Sequence, residues 1–303
     1  MDQVLMQERF SQEGIYCLRN EPMKKHTSFA IGGPADLYVL PKSEEQMMRA
    51  VSLCRENGLD YVVLGNGSNV VFSDLGYRGA VIGTSSLSGE IEWVSAVDVR
   101  CPAGAKLATL CSFACENALS GLECLWGIPG SVGGAVCMNA GAYGGEVKDM
   151  LLSCTCLTPE GEIVTYDADA LALSYRHSRF SNTKEIVLSA TFRLTPAPQS
   201  EIRHKMDNLM SRRREKQPLE YPSAGSVFKR PEGYYAAALI EECGLKGTQI
   251  GGIAVSEKHA GFMVNLGEGT CFDLKRLIDK VKQEVFLVKG VRLECEIKMI
   301  GEA

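Results

Sequence analysis

Gly127 to Glu146 reads GIPGSVGGAVCMNAGAYGGE, and seven of its twenty residues are glycine. Glycine has no Cβ and reaches positive φ freely, so such a run lets main chain approach a ligand closely. Successive amides in turns of this kind form concave nests of N–H donors that suit a diphosphate. The run holds no lysine or arginine, so a phosphate here would be held by backbone amides. Pro129, Val132, Val136, Met138 and Tyr143 make it too apolar for a flexible linker. A second glycine loop, Gly65-Asn66-Gly67-Ser68-Asn69, follows the apolar segment 61–64. It departs from the dinucleotide fingerprint, because Val70 replaces the third glycine and a strand rather than a helix is expected to follow. No G-x-x-x-x-G-K-[ST] occurs, which disfavours a P-loop nucleotidase.

Other candidates are polar side chains in particular settings. Ser226 lies in SAGSVFKRP, which is not the G-x-S-x-G elbow of hydrolases, since Phe228 stands where the second glycine belongs. A hydroxyl beside glycine is by composition a turn former. Lys229 and Arg230 next to it would suit a phosphate. Arg212, Arg213 and Arg214 cannot all face one way on a helix, and a basic helix end also complements the helix dipole. Arg176 sits in the cationic segment SYRHSRF, and Glu296 on the polar face of the last apolar-alternating segment. From pattern alone, either reads first as a solvated surface residue. The four histidines, 26, 177, 204 and 259, include no pair with metal-ligand spacing.

The elements that must position these residues follow from pattern. A lead-in covers 1–20, and a strand runs from Ala35 to Leu40. Ser43 with Gln46 reads as a capping box, and Gly58 as the end of that helix. Strands are expected at 61–64, 70–72 and, by alternation, along Ile91–Cys101. A helix is expected over Ala105–Leu119. Leu151–Leu157 and Glu162–Tyr166 read as a hairpin, and Ile186–Leu194 as another strand. Thr195-Pro196-Ala197-Pro198 reads as a domain boundary. Helices follow near 200–214, 234–243 and 272–288. The last strand, VRLECEIKMI, places Val291, Leu293, Cys295, Ile297 and Met299 on one face.

Composition narrows the class. The chain has 303 residues, is 45% hydrophobic and 23% charged, and carries a net charge of −5. That is ordinary globular composition with enough length for about two domains. The mild acidity disfavours a nucleic-acid partner. Twelve cysteines without a C-x-x-C pair read as reduced, mostly buried thiols and argue against a zinc site. The N-terminus lacks a signal h-region, and no apolar run nears the roughly eighteen residues of a membrane helix. The expected location is the cytoplasm.

Taken together, TSFAIGG at 27–33, LGNGSN, GIPGSVGGAVCMNAGAYGGE, YRHSRF, RRREKQP, SAGSVFKRP and the C-terminal LECEIKMIG resemble the UDP-N-acetylenolpyruvoylglucosamine reductase (UDP-N-acetylmuramate dehydrogenase) family. The resemblance runs nearly end to end. It implies an α+β protein: a two-subdomain FAD-binding fold of the vanillyl-alcohol-oxidase (PCMH) type plus a smaller C-terminal α+β substrate domain. The implied spans are a lead-in over 1–24, the FAD domain over 25–197 with subdomains near 25–85 and 86–197, and the substrate domain over 200–303. FAD would lie between the subdomains with its diphosphate against 65–69 and 127–134. The implied FAD-binding residues are Gly65, Asn66, Gly67, Ser68, Asn69, Gly127, Ile128, Pro129, Gly130, Ser131, Gly133, Gly134, Ala135, Asn139, Gly141, Ala142 and Tyr143.

The resemblance also implies the reaction. NADPH reduces the flavin, and the enolpyruvyl sugar nucleotide then takes hydride at C3 and a proton at C2. The charge that develops on C2 and the carboxylate calls for cationic or hydrogen-bonding groups and a proton donor. By family match, Arg176 and Glu296 stabilise the enolate and Ser226 delivers the proton. Arg213, Lys229 and Tyr221 are the expected contacts to the substrate diphosphate and its surroundings. No metal is implied, and a monomer is expected. Arg230 replaces a common asparagine, and Lys258 a common aromatic. Residues 195–226 leave no room for the long substrate-covering insert of some members, which places the chain in the subgroup without it. Two alternatives stand beside this reading: another FAD-dependent oxidoreductase of the same fold, such as a hydroxy-acid oxidase, and a non-catalytic nucleotide-sugar binder.

Overall fold

Local signals explain most of the elements in the computed structural model, which describes residues 2–87 and 89–301. Ser43 caps the helix Glu44–Glu56 by accepting the Gln46 amide at 3.2 Å, and Glu44 and Glu45 lie in its positive first turn. The expected capping box is only half formed. The Gln46 side chain turns instead to the Lys42 amide (2.9 Å) and the Gly14 carbonyl (3.1 Å). The helix Cys271–Lys289 carries the complete box, between Thr270 and Asp273, and ends at Gly290 with φ 69°. The helices Leu107–Glu116, Gln199–Lys216 and Ala236–Glu242 also fall where the pattern put them.

Five antiparallel strands form one sheet in the order Ile163–Asp167, Leu151–Leu157, Ile186–Arg193, Asp98–Pro102 and Glu92–Trp93. The single strand expected along Ile91–Cys101 is in fact the last two of these. Ser95 breaks the run: its hydroxyl accepts the amides of Val97 (3.3 Å) and Asp98 (3.1 Å) and turns the chain back. A four-stranded sheet orders Tyr16–Pro22, Pro34–Leu40, Tyr77–Gly83 and Tyr61–Leu64, with the last two parallel. The 1–24 lead-in is therefore part of the fold. It supplies the helix Gln3–Gln12 and the edge strand, and buries Met6, Phe10, Ile15 and Cys17. The terminal residues 1, 302 and 303 of the expected spans lie outside the described residues.

The chain divides into two compact units interleaved in sequence. The first takes the residues up to Arg19, Leu37–Asn66 and Gly79–Arg213; the second takes Asn20–Asp36, Gly67–Arg78 and the chain from Arg214 onward. The linear reading put boundaries near 25, 85 and 197–200. Packing explains the difference. Phe29, Ile31 and Val71 are buried in one cluster with Val227, Ile240, Leu274 and Ile278 of the second unit. Ser28 donates to the Ser223 carbonyl at 2.7 Å, and Asn265 to the Phe29 carbonyl at 3.1 Å. The first unit holds two clusters. One lies around Phe10, Leu37, Met47, Val51 and Ile82, and the other around Val99, Leu110, Val136, Cys154 and Phe192. The last segment is a strand only at Lys298–Ile300, parallel to Val70–Phe72. Its burial alternates from Val291 to Ile297, but Met299 is exposed, so the expected single apolar face stops short of it.

One ion pair locks the five-stranded sheet to the YRHSRF segment. Arg179 donates to Glu185 through Nε at 2.7 Å and Nη2 at 3.1 Å, and Tyr166 donates to the same carboxylate at 2.7 Å. Only 6% of the Glu185 side chain is exposed. The Arg179 contact, with help from Tyr166 and Thr183, holds its carboxyl below the ordinary value. A depressed folded pKa gives stability that is present above the unfolded value and lost as pH falls through the folded one. Glu185→Gln is expected to lower stability by about 1–3 kcal/mol at neutral pH. In urea unfolding, the gap from wild type should close on acidification below the usual carboxylate range.

Candidate active site

Gly65 and Asn66, which open the Gly65–Asn69 loop, meet the Gly127–Glu146 run within the first unit. Gly65 ends the strand Tyr61–Leu64 with its Cα against the Ser131 hydroxyl, where any Cβ would collide with Ser131 Oγ. Asn66 Nδ2 donates to the Pro129 carbonyl at 3.1 Å. The glycine run itself is not all loop: Val132–Met138 is a short helix capped by Ser131, which accepts the Gly134 amide at 3.3 Å.

Backbone pairing pins this cap to the segment after strand Asp98–Pro102. Leu107 N donates to Gly130 O (3.0 Å), Val132 N to Ala105 O (2.9 Å) and Gly133 N to Ala103 O (2.9 Å). The Ala135 amide bonds Ser131 O at 2.9 Å. The amides of Gly133, Gly134 and Ala135, expected among the FAD-binding residues, and that of Val132 are thus engaged inside the protein. Gly133 is buried, and a Cβ there would stand 2.8 Å from the Ala103 Cβ. Its glycine serves close helix-to-strand packing, a role the sequence reading missed. Ala103 and Ala105, which take these amides, carried no signal in the sequence.

Asn139, expected to touch the cofactor, is fully buried at the helix end with φ 41°. Its Nδ2 donates to Glu146 Oε2 (3.0 Å) and Ser174 O (2.9 Å), and its Oδ1 accepts the Lys148 amide (2.9 Å). It therefore ties the glycine run to the turn that carries Arg176. Ser174 and His177 close that turn with reciprocal amide bonds at 3.0 and 3.1 Å. Arg176 has φ 53°, and its guanidinium reaches Gly141 O at 3.0 Å and Asn139 O at 3.5 Å. The left-handed conformation is costly for a non-glycine residue and clusters at functional sites.

Gly141-Ala142 pairs with Gly145-Glu146, with Tyr143 at the tip. Arg212 and Arg213 lie 4.8 and 5.6 Å from the Tyr143 ring centre. Arg213 is only 6% exposed, and burial pulls its pKa below the ordinary value. Arg212 and Arg214 are exposed, as a helix bearing three arginines requires.

The second unit holds the other candidates. Gly67, Ser68 and Asn69 lead into the strand Val70–Phe72, and Asn69 Nδ2 donates to Glu296 O at 3.2 Å. Ser226 and Glu296 lie on neighbouring extended segments: Glu296 N donates to Val227 O (2.8 Å) and Lys229 N to Glu294 O (2.8 Å). On its other side, Ser226 pairs with Phe262. The Ser226 hydroxyl donates to Phe228 O at 3.1 Å. Lys229 pairs with Glu294 at 3.3 Å, and Tyr221 is 46% exposed in a turn after Pro218. Among the described residues no cluster of His, Cys, Asp or Glu could hold a metal ion, and no helix is long and apolar enough to cross a membrane.

Residues 35–167 match the FAD binding domain family, and residues 217–300 match the C-terminal domain of UDP-N-acetylenolpyruvoylglucosamine reductase. The UDP-N-acetylenolpyruvoylglucosamine reductase of Agathobacter rectalis is 50% identical over 306 residues, covering 97% of this chain and 96% of that protein. The chain belongs to the UDP-N-acetylenolpyruvoylglucosamine reductase family. A second reductase relative, from Clostridium novyi, is 46% identical and covers 92% of this chain and 91% of its own. The crystal structure of the reductase from Thermus caldophilus superposes with a TM-score of 0.79 at 33% identity, covering 95% of this chain and 99% of that one. Both glycine loops fall inside the FAD-binding match, and Ser226 and Glu296 inside the reductase match.

The residues present suit FAD. Neither loop carries an acidic side chain before Glu146, and the capped N-terminus of Val132–Met138 faces the Gly65 loop with its positive end. Packing distinguishes two adjacent glycines. Gly133→Ala meets Ala103 and is expected to lose about 1–3 kcal/mol of stability. At Gly134 a Cβ meets only Ser131 Oγ, at 3.2 Å, so Gly134→Ala should unfold near wild type. Denaturant midpoints of the two variants check this.

Proposed function

We propose that this chain is a cytoplasmic, NADPH-dependent flavoenzyme that reduces UDP-N-acetylenolpyruvoylglucosamine to UDP-N-acetylmuramate for peptidoglycan precursors. The observation that carries the reading is the placement of Ser226 and Glu296 on adjacent, backbone-bonded segments within a chain of this reductase family. We further propose that FAD binding falls to residues within about 25–197 and substrate binding to about 200–303, although Asn20–Asp36 and Gly67–Arg78 pack with the second unit, and that the protein works as a monomer.

Gly65–Asn69, Gly127–Ser131, Gly134 and the Gly141–Tyr143 hairpin would hold FAD, which when bound supplies hydride chemistry at C3 of the enolpyruvyl group. Negative charge then gathers on C2 and the carboxylate. Arg176 would stabilise that charge, its guanidinium already aimed by the Gly141 and Asn139 carbonyls. Glu296 assists if it is protonated or strongly hydrogen-bonded, because a bare carboxylate would repel the enolate. Ser226 would turn its hydroxyl from Phe228 O to C2 and give up the proton. Serine is a weak acid in water, but an enolate carbanion is a strong base. Arg213, Lys229 and Tyr221 would hold the diphosphate and its surroundings. Lys229 can leave Glu294, which is exposed, at little cost.

Anaerobic mixing of the FAD-loaded enzyme separates the roles. NADPH should bleach the flavin, and the enolpyruvyl substrate should restore its colour. Ser226→Ala should be reduced at nearly the normal rate, since that half needs no proton at C2. Its reoxidation should slow by roughly 10²–10⁴-fold, as for loss of a positioned acid. Equal slowing of both halves, or of neither, would return Ser226 to the role of turn former.

Arg213→Ala should raise KM for the sugar nucleotide by tenfold or more, on the order of 1.4 kcal/mol, with kcat nearly kept, because a phosphate contact serves ground and transition states alike. Steady-state kinetics decide it, and an unchanged KM removes Arg213 from the substrate site.

A further inference from the structure

Val227, the residue after Ser226, is held from two sides. Glu296 N donates to the Val227 carbonyl at 2.8 Å, and Val227 N donates to the Gly261 carbonyl at 2.9 Å. Gly261 belongs to the loop between strands Ile253–Val255 and Met263–Asn265. That loop is built around His259. The Gly261 amide donates to His259 Nδ1 at 3.1 Å, and the Phe262 amide to His259 O at 2.9 Å. The Phe262 ring meets the imidazole edge-on at 5.0 Å, and Phe262 is the backbone partner of Ser226. Ser256 Oγ fixes the start of the turn by accepting the Lys258 and His259 amides at 3.1 and 3.3 Å.

An imidazole nitrogen accepts a hydrogen bond only when it bears no proton. The Gly261 contact therefore selects the neutral ring with its proton on Nε2. We propose that neutral His259 is a positioning residue for Ser226: by accepting the Gly261 amide at Nδ1, it sets the turn whose Gly261 carbonyl and Phe262 backbone hold the Ser226-Val227 peptide. The inference rests on the reading of Ser226 as the proton donor. Protonation of His259 turns Nδ1 into a donor facing a donor, and the turn loses its anchor.

The surroundings favour the neutral ring. Burial lowers the His259 pKa from its ordinary value. The charged groups facing it from the helix Ala236–Glu242 and the turn beyond are Glu241 and Lys246, which pair with each other at 2.6 Å. On its own loop, Lys258 is drawn away to Arg214 O at 2.7 Å and to Glu220 at 3.7 Å. Gly261 leaves no slack, since a Cβ there would stand 3.1 Å from Nδ1. A depressed pKa puts loss of the anchor on the acid side of the usual histidine range.

The test uses the FAD-loaded enzyme, His259→Leu, which has no acceptor, and His259→Asn, whose side-chain oxygen can take the amide two residues on without titrating. His259→Leu should slow reoxidation by the enolpyruvyl substrate roughly 10–10²-fold, the scale of a small misplacement. Reduction by NADPH should stay within about twofold, the change of a half that needs no proton from Ser226. His259→Asn should keep wild-type reoxidation at neutral pH and lose the acid limb that wild type shows. Independent of activity, ring nitrogen-15 shifts should report the Nε2–H tautomer, and the Gly261 and Val227 amides should exchange faster in His259→Leu alone.

Wild-type reoxidation in His259→Leu, equal slowing of both halves, or an Nδ1–H tautomer would overturn the proposal. So would an acid limb that survives in His259→Asn, which would belong to another group such as Glu296. If His259→Leu does not fold, the pH profiles of wild type and His259→Asn decide alone. Ser226→Ala separates the two ideas: wild-type reoxidation in that variant removes the donor, whereas slow reoxidation there beside a normal His259→Leu removes only the role of His259.

Discussion

Buried peptide groups need partners, and the first unit meets that demand at the contact between Gly130–Gly133 and Ala103–Leu107. Three backbone bonds cross it, and Gly133 makes it possible by offering no side chain to Ala103. Once that contact forms, Ser131 is placed both to cap its helix and to receive Gly65. The helix then delivers Asn139, and Asn139 fixes the turn of Arg176. The site is a sequence of such dependencies, each set by a hydrogen bond that cannot be left unmade.

That order was only partly readable from the chain. The glycine run announced close backbone approach, but not whether a ligand or the protein's own strand would be the neighbour. Gly133 answers to Ala103, and nothing in the sequence distinguishes it from Gly134. The helix Val132–Met138 was hidden because two glycines and two valines lower helix propensity, and only the Ser131 cap and tertiary packing offset them. The break at Ser95 was hidden by apolar alternation that continues on both sides of it. Caps, hairpins and the long helices were legible because their determinants lie within a few residues. The interleaved units were not, because Phe29 and Ile31 advertise burial without saying against what.

In the second unit, the carbonyl of Val227, the residue after Ser226, accepts the amide of Glu296. One backbone bond beside Ser226 therefore ties the two segments together, and strand geometry rather than side-chain freedom sets their separation. The Phe228–Cys295 pairing and the Lys229 amide on Glu294 O extend this short ladder beyond the site. Rigid main chain of this kind places groups more accurately than a free loop would.

The interleaving has a consequence for the order in which the molecule can be made. Ser28 pairs with Ser223, Phe29 with Asn265, and Asp74 caps the helix that begins at Cys271. Each of these partners lies nearly 200 or more positions downstream. At synthesis rates of roughly 5–20 residues per second, the segments around Phe29 and Val71 wait on the order of ten seconds or longer for their core. During that time the ribosome presents their apolar side chains uncovered, while the first unit already has all its parts once Arg213 emerges. The segments around Phe29 and Val71 thus stay without their core partners until the last third of the chain has been made.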